Sequence, residues 1–441
     1  MPTGSEMKPA PQRKLAVAES ASPEEVEALY RFLKARGTFD ITPLRNGLFP
    51  AAGRDCPSAA ASGYSNIWVR DNIHIAYAFW QLGRTARAKK CVIALAAFFR
   101  KHEHRFKAVI AGKADPDDPM QRPHIRFHPR GLAEIAQPWS HAQNDAMGYF
   151  LWFYCKLTRA GIIAKKEADI GLPALIATYL EAISFWQDPD SGHWEEERKV
   201  CASSIGVALA GLCEFEKLIG DLNLQRRFEQ GTRTRLSTDR LGTLITRGRR
   251  RLNRILPYEC IDPDPALNRP YDAALLFLIE PVELLSGPAA DRILAYVRTY
   301  LQGRHGIRRY LMDSYWGPDY RSRAAGVVSD LSRRSTLAKL GDEAQWCIFD
   351  PVISTIYAKR YLASGRQSDY QNQRLYFNRA LSQITSPRSK RPYRCPEAYF
   401  REKGRYTPND QLPLSWTQAN LLVAFRYLKE TVRAAADRER A

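Results

Sequence analysis

Two glutamates in this sequence stand in surroundings that suit acid–base chemistry. Glu195 lies in Asp188-Pro-Asp-Ser-Gly-His-Trp-Glu-Glu-Glu197, and Glu397 in Arg394-Cys-Pro-Glu-Ala-Tyr-Phe400. An indole such as Trp194 beside a carboxyl group desolvates it and raises its pKa toward that of a working acid. Pro396 stiffens the backbone that carries Glu397. Cleaving a glycosidic bond takes two such groups, one to protonate the leaving oxygen and one to activate water or attack carbon. Residue type alone leaves plainer readings open: an acidic loop flanking a helix for the first stretch, an exposed loop glutamate for the second.

Two further clusters could hold a ligand. In Ile67-Trp-Val-Arg-Asp71, Arg70 and Asp71 stand at the start of an expected helix, and Trp68 offers a face for a sugar ring. An Arg–Asp pair capping that helix is the alternative. Trp139-Ser-His-Ala-Gln-Asn-Asp145 places Gln143 and Asp145 at the polar opening of an apolar helix, where buried polar groups need partners. His102 and His104, or His124 and His128, have spacings seen at metal sites but nothing completes a ligand set, and Ser203-Ser204 lacks a nearby base. No cofactor and no metal is expected.

The elements that must position these residues are helices. Apolar positions recur at three- and four-residue spacing in about twelve segments, over 24–36, 70–83, 85–103, 141–159, 170–186, 203–219, 222–250, 271–283, 287–302, 350–363, 367–384 and 415–434. The long connections at 104–140, 187–202, 303–349 and 385–414 carry the unusual residues, as functional loops do. His124 to His128 and Arg308 to Met312 read as hairpins within those loops.

Composition narrows the function classes. Hydrophobic residues at 45% and aromatics at 11% supply a large core over 441 residues. A single all-α domain over 23–436 behind a loose Pro- and Ser-rich tail at 1–22 is expected. Eight cysteines without a CxxC pair suit free thiols, and with no apolar leader and no 18-residue apolar run the expected location is cytoplasmic, without a membrane partner. The net charge of +19 would attract polyanions, yet no nucleic-acid-binding signature accompanies it, so nucleic acid is not an expected partner.

In order along residues 60–430 the motifs resemble the glucoamylase family of inverting exo-acting α-glucosidases. Within it they are most like the glucoamylase-like domain of the phosphorylase kinase regulatory subunits. Carrying the resemblance are Trp68-Val-Arg-Asp71, the segment ending Gln143-Asn-Asp-Ala146, Asp190-Ser-Gly-His-Trp-Glu195, Tyr271-Asp-Ala-Ala-Leu275, Gly306-Ile-Arg-Arg-Tyr310 with Asp313-Ser-Tyr315, Glu343-Ala-Gln-Trp346, Pro396-Glu-Ala-Tyr399 and Leu414-Ser-Trp-Thr-Gln-Ala419. It implies an (α/α)6 toroid and an oligosaccharide or polysaccharide α-glucan as substrate. Glu195 would be the general acid, Glu397 the general base, Arg70 and Asp71 the grip on the terminal glucose, Glu196 a substrate contact, and Trp68, Trp139 and Trp194 the pocket lining. One departure stands out: the segment before Trp346 offers Glu343 and no arginine to grip the sugar. The regulatory branch implies an alternative, a catalytically silent sugar-sensing module.

Overall fold

The computed structural model describes residues 15–53, 56–164, 167–221, 236–323 and 339–440. Six elements close a ring of inner staves: α2 (Val69–Gln81), α5 (Asn144–Arg159), α7 (Ala202–Asp221), a 3₁₀ segment (Ala273–Leu278), α10 (Phe349–Ser364) and α12 (Ser415–Arg440). Each packs on the next, and α12 returns to α2. Outside them lie α1 (Pro23–Ala35), α3 (Thr85–Lys101), α6 (Gly171–Ala182), α8 (Thr238–Ile255), α9 (Gly287–Tyr296) and α11 (Gln367–Ser382). The architecture is an (α/α)6 toroid.

Burial explains the division. Nearly every residue of α2 and α5 is buried, as befits staves covered on all sides, whereas α8 buries only the stripe Leu241, Leu244, Ile245, Gly248, Leu252 and Ile255. Glycines set the closest approach. A Cβ at Gly148 of α5 would stand 2.5 Å from the Ala208 backbone of α7, and one at Gly206 would strike Leu278 of the 3₁₀ stave.

Two small antiparallel sheets sit at the N-terminal end of the inner staves. In the first, β1 (Ile67–Trp68) pairs with β2 (Arg126–His128), which pairs with β3 (Ala133–Glu134). In the second, β4 (Gln345–Trp346) pairs with β5 (Ala398–Glu402), which pairs with β6 (Arg405–Pro408). Each sheet joins the segment entering an inner stave to a long loop, and so fixes loop residues over the ring's opening.

Several expectations need correction. The segment expected as a helix over 271–283 is a six-residue 3₁₀ stave, because the Asp272 carboxylate takes the Ala274 N–H and Pro281 ends the run. Arg308 to Met312 is not a hairpin: Ile307 bridges to Trp346 and Tyr310 to Asp272, two distant partners. The loop expected over 104–140 contains α4 (Glu103–Ile110), and the helix expected over 287–302 finishes as a π-turn at Val297–Leu301. Residues 222–235 of the helix expected over 222–250 lie outside the described residues, as do residues 1–14 of the expected tail. Val17 and Ala21 from that same stretch are buried against α1, α11 and α12. All eight cysteines are free. No helix among the described residues is long and apolar enough to cross a membrane.

Candidate functional site

A cavity of about 1320 Å³ opens at the sheet-bearing end of the ring. Both Glu195 and Glu397 line it, together with Arg70 and Asp71. Trp68, Trp139 and Trp194 line it as well, joined by Trp316, Trp346 and Trp416.

Glu195 follows the 3₁₀ turn Gly192–Trp194 and adopts φ 58° and ψ 42°, a left-handed conformation that costs a residue with a Cβ about 1–2 kcal/mol. Flanking bonds hold it there: its own N–H donates to the Gly192 carbonyl at 3.3 Å and that of Glu196 to Ser191 at 3.2 Å. Strain of this kind collects where a side chain must be aimed. The Glu195 carboxylate accepts from Arg70 Nη2 at 3.3 Å. Burial pushes its pKa up, against the pull of Arg70 and Arg126.

Glu397 precedes β5, where the Cys347 N–H donates to its carbonyl at 2.9 Å and its own N–H donates to Gln411 at 3.2 Å. Tyr64 donates to Oε1 at 2.8 Å and Asn409 Nδ2 to Oε2 at 2.6 Å. Tyr64 Oη is in turn 3.0 Å from Tyr315 Oη. Only 3% of Glu397 is exposed, and burial raises its pKa to about 7 despite Tyr64, Asn409 and Arg309. Burial thus raises both carboxyl groups, not Glu195 alone. Trp194 spends its N–H on Asp272 at 2.9 Å, and its ring packs on Trp346 and Phe349, while two arginines face Glu195.

Asp71 opens on the same cavity, with its pKa pushed up to about 7 by burial against the opposing charge of Arg70. Its charge is felt by both glutamates. Arg70, however, pairs with Asp145 at 2.5 Å rather than with Asp71, and its Nη1 also donates to Gln143 at 3.1 Å. Burial works against the Asp145 anion, yet Arg70 and His193 hold its pKa below the usual value.

Of the expected ligand contacts, Trp68, Arg70, Asp71, Trp139 and Trp194 line the cavity, and three do not. Gln143 and Asp145 sit beneath Arg70 and fix its guanidinium. Glu196 turns away from the cavity: its oxygens accept from Arg309 at 3.1 Å, from Arg269 at 3.4 Å and from Tyr310. The left-handed turn at Glu195 sends the two adjacent carboxylates in different directions. The segment before Trp346 itself brings no arginine, but one from another segment lies beside that ring. Arg309 lines the cavity, its guanidinium 4.7 Å from the Trp346 ring and clamped by Asp313 at 2.6 Å. The Ile307–Trp346 bridge carries it there from a distant segment.

Residues 39–332, more than half of the sequence, match the family described as Glycosyl hydrolases family 15. The chain belongs to that family. A probable phosphorylase b kinase regulatory subunit alpha from Caenorhabditis elegans is 27% identical over 322 residues, covering 64% of this family 15 chain and 24% of that protein. The chain thus spans about a quarter of that relative's length. Among solved structures, a wild-type glycosidase superposes with a TM-score of 0.65 at 18% identity, covering 92% of this chain and 98% of that one. A bacterial glucoamylase complexed with acarbose gives 0.58 at 15% identity, covering 88% and 53%. Both likenesses concern the fold.

Tyr64, Arg126, Arg309, Tyr315, Asn409 and Trp416 escaped the sequence reading of the family 15 site. Arg309 and Tyr315 fall inside a recognisable segment, and the run of charge and aromatics there was the signal. Tyr64 and Asn409 sit in ordinary loop sequence and gave none.

Proposed function

We propose that the protein is an inverting, exo-acting glycoside hydrolase that releases glucose from the non-reducing end of an α-glucan or α-glucoside. Glu195 serves as general acid and Glu397 as general base, while Arg70 and Asp71 hold the terminal sugar. The observation that carries this reading is the setting of Glu397. A carboxylate has about four acceptor positions, and Tyr64 and Asn409 use one on each oxygen, fixing the group while leaving capacity for a water. Burying a carboxylate so deeply is unfavourable, and a pocket that merely bound sugar would gain nothing from it. With Glu195 on the same cavity, a sugar between the two would meet a proton donor on one side and activated water on the other.

A glycosidase and an acarbose-bound glucoamylase among the structural neighbours support this chemistry. The phosphorylase kinase regulatory relatives favour a second reading, a module that binds sugar and turns nothing over. Glucose release from maltose, isomaltose, trehalose, kojibiose and nigerose separates the two. Proton NMR of the first product identifies the mechanism: β-glucose marks inversion. Oligosaccharide binding without release from any of them establishes the second reading.

A further inference from the structure

Arg126 is the arginine of the cavity wall that has no carboxylate partner among the described residues. Arg70 pairs with Asp145, Arg309 with Asp313 and Arg321 with Asp410. The guanidinium of Arg126 lies 3.9 Å from the centre of the Trp139 ring and 5.0 Å from that of Trp68. Its Nη1 donates to Gln137 at 3.2 Å, and its buried Nε has no hydrogen-bond partner. Only 4% of the residue is exposed, yet it lines the cavity. Gly63, with φ +78°, lies against Nη2, and a side chain there would collide with it. Room has been kept for a desolvated cation that, apart from the field of Glu195, only ring faces and one amide oxygen offset.

Strand register says where this cation sits relative to the reacting bond. Arg126 is directly opposite Trp68 in the β1–β2 pair, so the two side chains share a face. Two and three residues beyond Trp68 the same chain delivers Arg70 and Asp71. Arg126 also acts electrostatically on Glu195, the group that would protonate the leaving oxygen. A leaving group therefore extends along Glu195 toward the Trp68–Trp139 wall that holds Arg126. His128, two residues along the same strand, opens on the same cavity.

We propose that the cavity prefers glucosides whose leaving group bears an anion, a carboxylate or a phosphate monoester, and that Arg126 binds this anion. The inference rests on the hydrolase reading for the direction of the leaving group and supplies its substrate class. A planar guanidinium held between rings offers two parallel N–H donors, the geometry that both anions accept.

The test is calorimetric binding by the full chain of two matched pairs: maltobionate against maltitol, and trehalose 6-phosphate against trehalose. Each pair differs in the anion on the aglycone. In at least one pair the anionic member should bind tighter by about 10- to 100-fold, the scale of one charged hydrogen bond, and the responding pair assigns carboxylate or phosphate. Arg126→Gln should bring that ratio close to one, and Arg126→Lys, which keeps charge but not planarity, to an intermediate value. Thermal melting establishes that each variant is folded. If neither pair shows a preference, or if the preference survives Arg126→Gln, the proposal is overturned. Glucose release is followed in parallel. Anion preference without release retains the anion site and removes the hydrolase; release without preference does the reverse.

Discussion

The two ends of the ring treat buried carboxylates in opposite ways. About two turns beyond Asp71 along α2, Tyr77 donates to Glu280 at 2.7 Å and Lys359 reaches both Glu280 and Glu283. Glu283 is exposed at the edge of this cluster, and Lys359 and Lys156 hold its pKa below normal against partial desolvation. At the cavity end, Glu397 has neutral donors and no ion pair among the described residues, and burial raises both it and Asp71 to about 7. Acids closed by cations fasten staves together. Those left short of compensation can change protonation near neutral pH, and that is where chemistry is expected.

The largest effect separating the ends should come from Glu397→Gln. Loss of a general base lowers kcat by about 10²- to 10⁴-fold, on glucosyl fluoride and disaccharides alike, since each needs activated water. Glu195→Gln should spare the fluoride more than the disaccharides, because protonation matters less for that leaving group. A uniform loss in both variants on both substrates would dissolve the acid–base distinction.

Next in size is Asp71→Asn, expected to weaken sugar binding and turnover by about 1.5–3 kcal/mol, one charged hydrogen bond. Its melting temperature should stay level or rise, because an unfavourably buried anion is removed. Falling stability with unchanged affinity would move Asp71 into the structural class. The converse holds for Glu280→Gln at the other end, where stability should drop by about 2 kcal/mol as Tyr77 and Lys359 lose their charged acceptor and Lys359 keeps only Glu283, while kcat/KM for maltose is unchanged. Denaturant titration and steady-state rates check the pair.

The most gradual effect is a pH slope. Carboxyl groups whose pKa is raised on folding bind more protons folded than unfolded, so they favour the folded state at low pH and subtract stability as pH rises. For Glu397 and Asp71 the window runs from the ordinary carboxylate range to about 7. Wild-type stability relative to Glu397→Gln should therefore decline across that interval, by up to about 3 kcal/mol. A flat difference in melting temperature from pH 4 to 8 would show that Glu397 is not so perturbed.

Much of the toroid was legible because inner and outer helices advertise themselves by the same apolar spacing. The 3₁₀ stave was misread as a helix because Ala273–Leu278 is apolar throughout, and periodicity cannot distinguish short buried runs. Within the cavity, Arg70, Asp71 and Glu195 were readable from compact motifs. Adjacency misled at Glu196, where a left-handed residue reverses direction, and at Asp145, which supports Arg70 from below. Tyr64 reaches Glu397 from a distant segment and Asn409 from across the β5–β6 hairpin, contacts that no local pattern announces.

Six of the nine tryptophans line the cavity: Trp68, Trp139, Trp194, Trp316, Trp346 and Trp416. Intrinsic fluorescence of this protein is therefore largely emission from the walls of this cavity. A sugar ring laid against those indoles displaces water and alters their polarity, so its arrival shifts both intensity and wavelength without any label. Occupancy can thus be read optically and separately from turnover, in a hydrolase and in a silent sensor alike.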